Sequence, residues 1–281
     1  MKVQLLTFAL IVNSIAWSQT EHGTVLLVLG QRHGPVAVAA DSLAYSWDGN
    51  TNQTCKIATV GNKLIIASSG YGGRRNNITG KKEFSTLTTA QEVFSTFSKK
   101  QIALKTFGSD FLAAWNKALM KNFNIQLNSY SDLVPTLKDN YVVSPLVVGL
   151  GKDGMVTTWI SHINFRFSNG RYEAYSILAK PQSVRPYRVR GGETAIVDEI
   201  LGETTPRGRA WSNQIHRIAD PFPDEKLANI WARELVQLTI DNLPSQNFGV
   251  RLIKVVGPPV DSIIMDNSGR IEWQEHKPEC K

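Results

Sequence analysis

The chain has little cysteine, no recognisable metal-ligand spacing and no apolar run long enough to cross a bilayer. Two cysteines in 281 residues, Cys55 and Cys280, allow at most one internal disulfide. In an exported chain they either pair, which would tie the C-terminal tail beside Lys56, or remain two free thiols. His22, His33, His162, His216 and His276 share no metal-ligand spacing, so no metal or other cofactor is expected. The longest early apolar run, Leu5 to Val12 with Thr7 inside it, falls short of the ~20 residues a spanning helix needs. Ser68-Ser69-Gly70 lacks the Gly-x-Ser-x-Gly elbow, which argues against a serine hydrolase of that kind. The net charge is +7, yet the basic residues are scattered and no basic stripe is interleaved with aromatics, so no nucleic-acid partner is expected. The densest basic group, Arg185, Arg188 and Arg190 around Pro186 and Tyr187, reads as a solvated strand or loop. Internal repeats and low-complexity segments are absent.

What is present is an ordinary globular composition, 42% hydrophobic and 20% charged, which suffices for a buried core. The first 23 residues read separately. Lys2, the apolar run and the small-x-small group Ala16-Trp17-Ser18 fit a secretory signal peptide cut after Ser18. Residues 1–18 are therefore expected to be a signal peptide, 19–23 a short propeptide and 24–281 a single domain. The expected location is secreted or periplasmic, with no membrane association once the signal is gone.

Two hairpins carry the chemistry. From Gly23-Thr24 an apolar run leads to a polar turn with Gly34 and Pro35, and a second apolar run ends in Ala39-Ala40-Asp41-Ser42. This pattern predicts a β-hairpin that brings Thr24 and Asp41 together at its open end. A second hairpin starts at Lys56-Ile57, turns at Val60-Gly61-Asn62-Lys63 and ends at Ser68-Ser69-Gly70. At this point the chain resembles the catalytic β-type subunits of the proteasome, including the bacterial two-component forms. The resemblance rests on four elements in order over residues 23–73: a Gly-Thr junction, an Ala-Ala-Asp-Ser strand end, a Lys-Ile strand and a small-residue strand end with glycine.

The resemblance implies an α+β fold of the N-terminal nucleophile (Ntn) hydrolase type, a four-layer αββα sandwich of two antiparallel sheets between helix layers. It also implies Thr24 as nucleophile, with Asp41, Lys56, Gly70 and Ser245 around it. The chemistry of those residue types agrees. A threonine hydroxyl needs a base, and cutting the Gly23-Thr24 bond frees an α-amine that titrates near ~7.7–8.0. A Lys56 ammonium would favour the neutral amine and lower the pKa of the hydroxyl, with Asp41 holding it. The Gly70 N–H could bind the oxyanion, a donor worth about 2.7–4 kcal/mol. The expected substrate is a peptide or small amide, and the first substrate is the Gly23-Thr24 bond itself. A homo-oligomer fits the resemblance, although no heptad or interface stripe encodes one.

Elsewhere, residues 109–123 place Phe111, Leu112, Trp115, Leu119 and Phe123 on one helical face. Ser144 to Val148 and Met155 to Phe165 read as strands. An amphipathic run covers Thr194 to Leu201, residues 203–223 read as an inserted loop, and a helix from Asp224 to about Ile240 precedes a strand from Val250 to Val256. Three positions depart from the resembled family. Val25 stands where it usually has Thr, Glu193 follows Gly191-Gly192 where it has a serine, and Asn242 stands where its Asp-x-x-Ser turn has Asp. Those departures favour a non-catalytic structural subunit as the alternative; a secreted binding protein is the third reading.

Overall fold

The computed structural model describes residues 18–21, 24–30, 35–45, 51–76, 82–129, 133–137, 141–183, 187–220, 224–248, 251–277 and 280. Its first strand, β1 (Ser18–Glu21), comes from the segment expected as a leader. Then follow β2 (Val25–Gly30) and β3 (Val36–Asp41), whose twelve residues are all buried. Strands apolar along their whole length belong between two covering layers. Next come β4 (Leu43–Tyr45), β5 (Thr51–Gln53), β6 (Ile57–Val60), β7 (Leu64–Gly70), β8 (Gly73–Asn76) and β9 (Lys82–Ser85).

The helical stretch begins with α1 (Thr86–Ser95), capped by Ser85, which accepts from Thr88 N–H. It continues through α2 (Lys99–Ile102) and α3 (Phe107–Ser129), which buries Phe111, Leu112, Trp115, Leu119 and Phe123 along one face. After it lie β10 (Tyr141–Leu150), β11 (Val156–Ser168), β12 (Arg171–Leu178) and β13 (Tyr187–Gly192). The second helical stretch is α4 (Ala195–Gly202), α5 (Pro206–Ala219) and α6 (Asp224–Asn242), and β14 (Gln246–Phe248), β15 (Arg251–Ile253), β16 (Val260–Met265) and β17 (Ile271–Glu275) close the described chain.

Two five-stranded antiparallel sheets form the centre, in the orders β12-β11-β10-β7-β6 and β13-β2-β3-β16-β17. Leu26, Val28, Val38 and Ala40 of one sheet meet Ile57, Ile65, Ala67 and Leu146 of the other in a shared core. Helix α1 through Leu87 and Ala90, and α3 through Phe111, Trp115 and Phe123, cover the outer face of the first sheet. On the second sheet, α4 and α6 pack Ile196, Ile200, Ala232 and Leu235 against Val25, Leu27, Ala37 and Ala39. The architecture is therefore the four-layer αββα sandwich. Among the described residues, no helix is long and apolar enough to cross a membrane.

Two segments differ from the expectations. Residues 203–223 are not a loop, because α5 occupies most of them. Pro206 falls in the first turn, where a missing N–H costs nothing, and Thr205 Oγ1 accepts from Gly208 N–H. The strand expected from Val250 shrinks to β15. Its continuation leaves the ladder because Gly257 turns inward, donating to Asp41 Oδ2 at 3.1 Å and accepting from Ser42 N–H at 3.0 Å. Ser18–Glu21 pairs antiparallel with β8, with Glu21 opposite Gly73. The rest of the expected signal peptide, residues 1–17, and the junction residue Gly23 lie outside the described residues.

Candidate active site

Asp41 ends β3 in full burial, and four donors converge on its carboxylate. Lys56 Nζ lies 2.8 Å from Oδ1, and Val25 N–H donates to the same oxygen at 2.8 Å. Leu43 N–H and Gly257 N–H donate to Oδ2 at 3.2 and 3.1 Å. Burial pushes the Asp41 carboxyl above its ordinary value, while the Lys56 ammonium, then the backbone donors, pull it back down. Every polar neighbour is a donor, which is the environment of an acceptor-only carboxylate. Lys56 is only 4% exposed and also donates to the Leu43 carbonyl, so its ammonium is held from two sides. An ammonium this deeply buried depends on its carboxylate, since an unpaired charge there is strongly disfavoured.

The hairpin explains why these groups meet. Leu26 pairs with Ala40, so Val25 at the start of β2, with Thr24 just before it, lies beside the end of β3, and the Val25 peptide reaches Asp41. Lys56 arrives on the other sheet, immediately before β6, where its carbonyl accepts from Ser68 N–H at 3.2 Å. Thr24 is buried, 4% exposed. Its carbonyl accepts from Glu193 N–H at 2.7 Å. Gly192 makes that approach feasible. It sits at φ +80°, and a Cβ there would lie 1.8 Å from Thr24 O. The Gly191-Gly192-Glu193 turn thus grips the Thr24 main chain with backbone, at the place where the resembled family uses a serine.

Gly70 closes β7 at φ +100°, and a Cβ on it would lie 2.6 Å from the Val142 carbonyl. Donors alternate along a strand. Ser68 N–H points to Lys56 O and Tyr71 N–H to Val142 O, so Gly70 N–H falls on the Lys56 side of β7. Next to it, Ser69 Oγ approaches β13 of the other sheet so closely that a Cβ on Gly191 would lie 2.4 Å away. Ser245 lies in the exposed turn after α6. Asn242, at the family's Asp position, turns its amide back onto its own helix, donating to Leu238 O at 2.9 Å.

A second buried ion pair stands directly behind the first and was not singled out from the sequence. Lys277 Nζ lies 3.1 Å from Asp261 Oδ2, and Ser42 Oγ donates to that oxygen at 3.0 Å. Lys277 also donates to Thr54 O at 2.9 Å, next to Cys55. Cys55 and Cys280 form a disulfide, with Cα atoms 5.4 Å apart. The tail is therefore fastened beside Lys56 by a covalent bond and by charge. The sequence signal for Asp261 was a lone acid inside the largely apolar β16, whose other polar residue is Ser262. A third polar group, Tyr141, Ser144 and His162, lies on the inner face of the first sheet next to Ser69. Among the described residues, no cluster of three or more His, Cys, Asp or Glu side chains is arranged to hold a metal ion.

No family model matches the chain, and no curated protein does. Among solved structures, the chain is similar to an Anbu mutant from Hyphomicrobium sp. strain MC1, with a TM-score of 0.47 and 14% identity over 91% of this chain and 86% of that one. It is also similar to Anbu, described as an ancestral beta-subunit, from Yersinia bercovieri, with a TM-score of 0.44 and 16% identity over 91% of this chain and 89% of that one.

Proposed function

We propose that the chain is an exported, proteasome-like Ntn hydrolase that cuts its own Gly23-Thr24 bond and then cleaves peptide or small amide bonds with the freed Thr24. One observation carries this reading: the buried Asp41–Lys56 pair is hydrogen-bonded to the Val25 N–H, one residue from the threonine. What sets this pair apart from the buried Asp261–Lys277 pair is its place beside Thr24.

In this reading the Thr24 hydroxyl first attacks the Gly23 carbonyl. No free amine exists at that stage, so water or a neighbouring group takes the proton, and processing is slower than later turnover. Once freed, the Thr24 α-amine serves as general base, and Lys56 lowers the pKa of both hydroxyl and amine through its charge. Gly70 N–H, on the Lys56 side of β7, donates to the oxyanion. Strand β1 supports a peptide substrate. Ser18–Glu21, a short way ahead of Thr24, is added in extended form to the edge of β8, as a bound peptide is added to a sheet edge.

The test is the N-terminus of the mature protein from its native host, read by mass spectrometry, together with a covalent inhibitor directed at N-terminal threonine. A chain starting at Thr24 and carrying the adduct is expected. An uncut Gly23-Thr24 bond without adduct would instead support a non-catalytic subunit, the reading that Val25, Glu193 and Asn242 favour.

A further inference from the structure

Gly70 has no side chain to anchor it, and glycine is the residue whose flanking peptide turns over most readily. If the Ser69–Gly70 peptide flipped, a carbonyl would point where the oxyanion donor is needed. The structure holds that peptide from the other side. Tyr141 Oη lies 2.8 Å from the Ser69 carbonyl oxygen. A carbonyl only accepts, so the single phenol proton goes to it. The peptide is trans, so fixing Ser69 C=O toward Tyr141 directs Gly70 N–H to the opposite side, toward Lys56. The tyrosine ring also fills the space beside Gly70, where a Cβ would lie 2.9 Å from Tyr141 Cε1.

The phenol is itself held. Ser144 Oγ lies 3.1 Å from Tyr141 Oη, and His162 Nδ1 lies 2.6 Å from Ser144 Oγ. With the phenol proton given to Ser69, Ser144 donates to the phenol oxygen, and His162 donates to Ser144 from Nδ1. The result is one directed chain, from His162 through Ser144 and Tyr141 to the Ser69 carbonyl. Ser69 Oγ, 3.3 Å from Tyr141 Oη, closes it locally. Burial pushes the Tyr141 hydroxyl up from its ordinary value, which keeps it a donor at neutral pH.

We propose that Tyr141 is a positioning residue whose hydroxyl, oriented by Ser144 and His162, locks the Ser69–Gly70 peptide with the Gly70 N–H facing the reacting carbonyl. The proposal rests on the reading of Thr24 as nucleophile and Gly70 as oxyanion donor. It adds no group that touches substrate; it assigns the device that keeps the donor in place.

The experiment compares full-length wild type, Tyr141→Phe and Ser144→Ala. Processing is followed by intact mass, turnover with a panel of fluorogenic peptides, and inhibition by a peptide boronate and the corresponding peptide amide. A whole oxyanion donor is worth ~10²–10³ in kcat. Loosening one is expected to lower kcat in Tyr141→Phe by roughly 10- to 100-fold, with KM within about twofold. The boronate, which forms the tetrahedral adduct, should weaken by the same factor, while the amide should bind unchanged. Ser144→Ala should shift the same readouts in the same direction by a smaller factor. It decides the matter if Tyr141→Phe does not fold. Wild-type kcat in the folded variant, or equal weakening of boronate and amide, overturns the proposal while leaving Thr24 catalysis intact. A wild type that neither processes nor turns over removes the Thr24 reading itself, and this inference with it.

Discussion

Lys277 stands to Asp261 as Lys56 stands to Asp41: a buried ammonium within 3.1 Å of a buried carboxylate, reached through neighbouring residues of the same two segments. Ser42, next to Asp41, serves Asp261, and Thr54, near Lys56, serves Lys277. The two pairs have different expected consequences, because only one adjoins Thr24.

Lys277→Ala leaves Asp261 buried without its counter-charge, which is expected to cost about 3–5 kcal/mol of stability. Urea unfolding measures the loss. Inhibitor labelling of Thr24 in the folded fraction should persist. Lys56→Ala should lose similar stability and also lose labelling and processing. Equal labelling in both variants would contradict the distinction.

Thr24→Ala should abolish processing and turnover, since no hydroxyl remains, and Thr24→Ser should keep part of both. Intact mass after expression with export reads the first step, and fluorogenic peptides read the second.

Gly192→Ala should be far more damaging than an ordinary glycine change. The left-handed conformation alone costs an alanine ~1–2 kcal/mol, and its Cβ would fall 1.8 Å from Thr24 O. Lower thermal stability together with lost processing is expected. A folded, fully processed Gly192→Ala protein would show that the turn does not grip Thr24.

Reducing the Cys55–Cys280 bridge, or replacing both residues by serine, should lower stability by about 2–5 kcal/mol, because the bridge closes most of the chain into one loop. Melting with and without reductant measures it.

Burial holds His162 below its ordinary value. The unfolded chain then takes up the proton first as pH falls. Stability from this group is full above the unfolded value of 6.5, declines as pH drops through it, and levels off below the folded value. Urea midpoints from pH 8 to 5 should show that decline in wild type and a flatter profile in His162→Gln.

The parts legible in the sequence were those whose geometry is local. The Val25–Gly30 and Val36–Asp41 runs announce a hairpin, and a hairpin carries Asp41 back beside Thr24. The α3 face is legible for the same reason, since helical spacing is fixed by the chain itself. Residues 206–219 misled because Pro206, Gly208 and the arginines look like a loop; Pro206 is harmless only because it falls in the first turn, and that depends on where the helix starts. Asp261 and Lys277 were invisible as a pair, as were Tyr141, Ser144 and His162, because distant strands bring each set together. Ser245 was singled out by a family spacing, and it lies in the exposed turn after α6.

The disulfide also imposes an order on biogenesis. Cys55 is made early, but its partner lies 225 residues further along. The surroundings of Lys56 therefore cannot be sealed until synthesis has passed residue 280 and the tail has met an oxidant. If Thr24 is armed by those surroundings, a nascent chain is silent by construction, and the protein becomes reactive only once synthesis is complete and the bridge has formed.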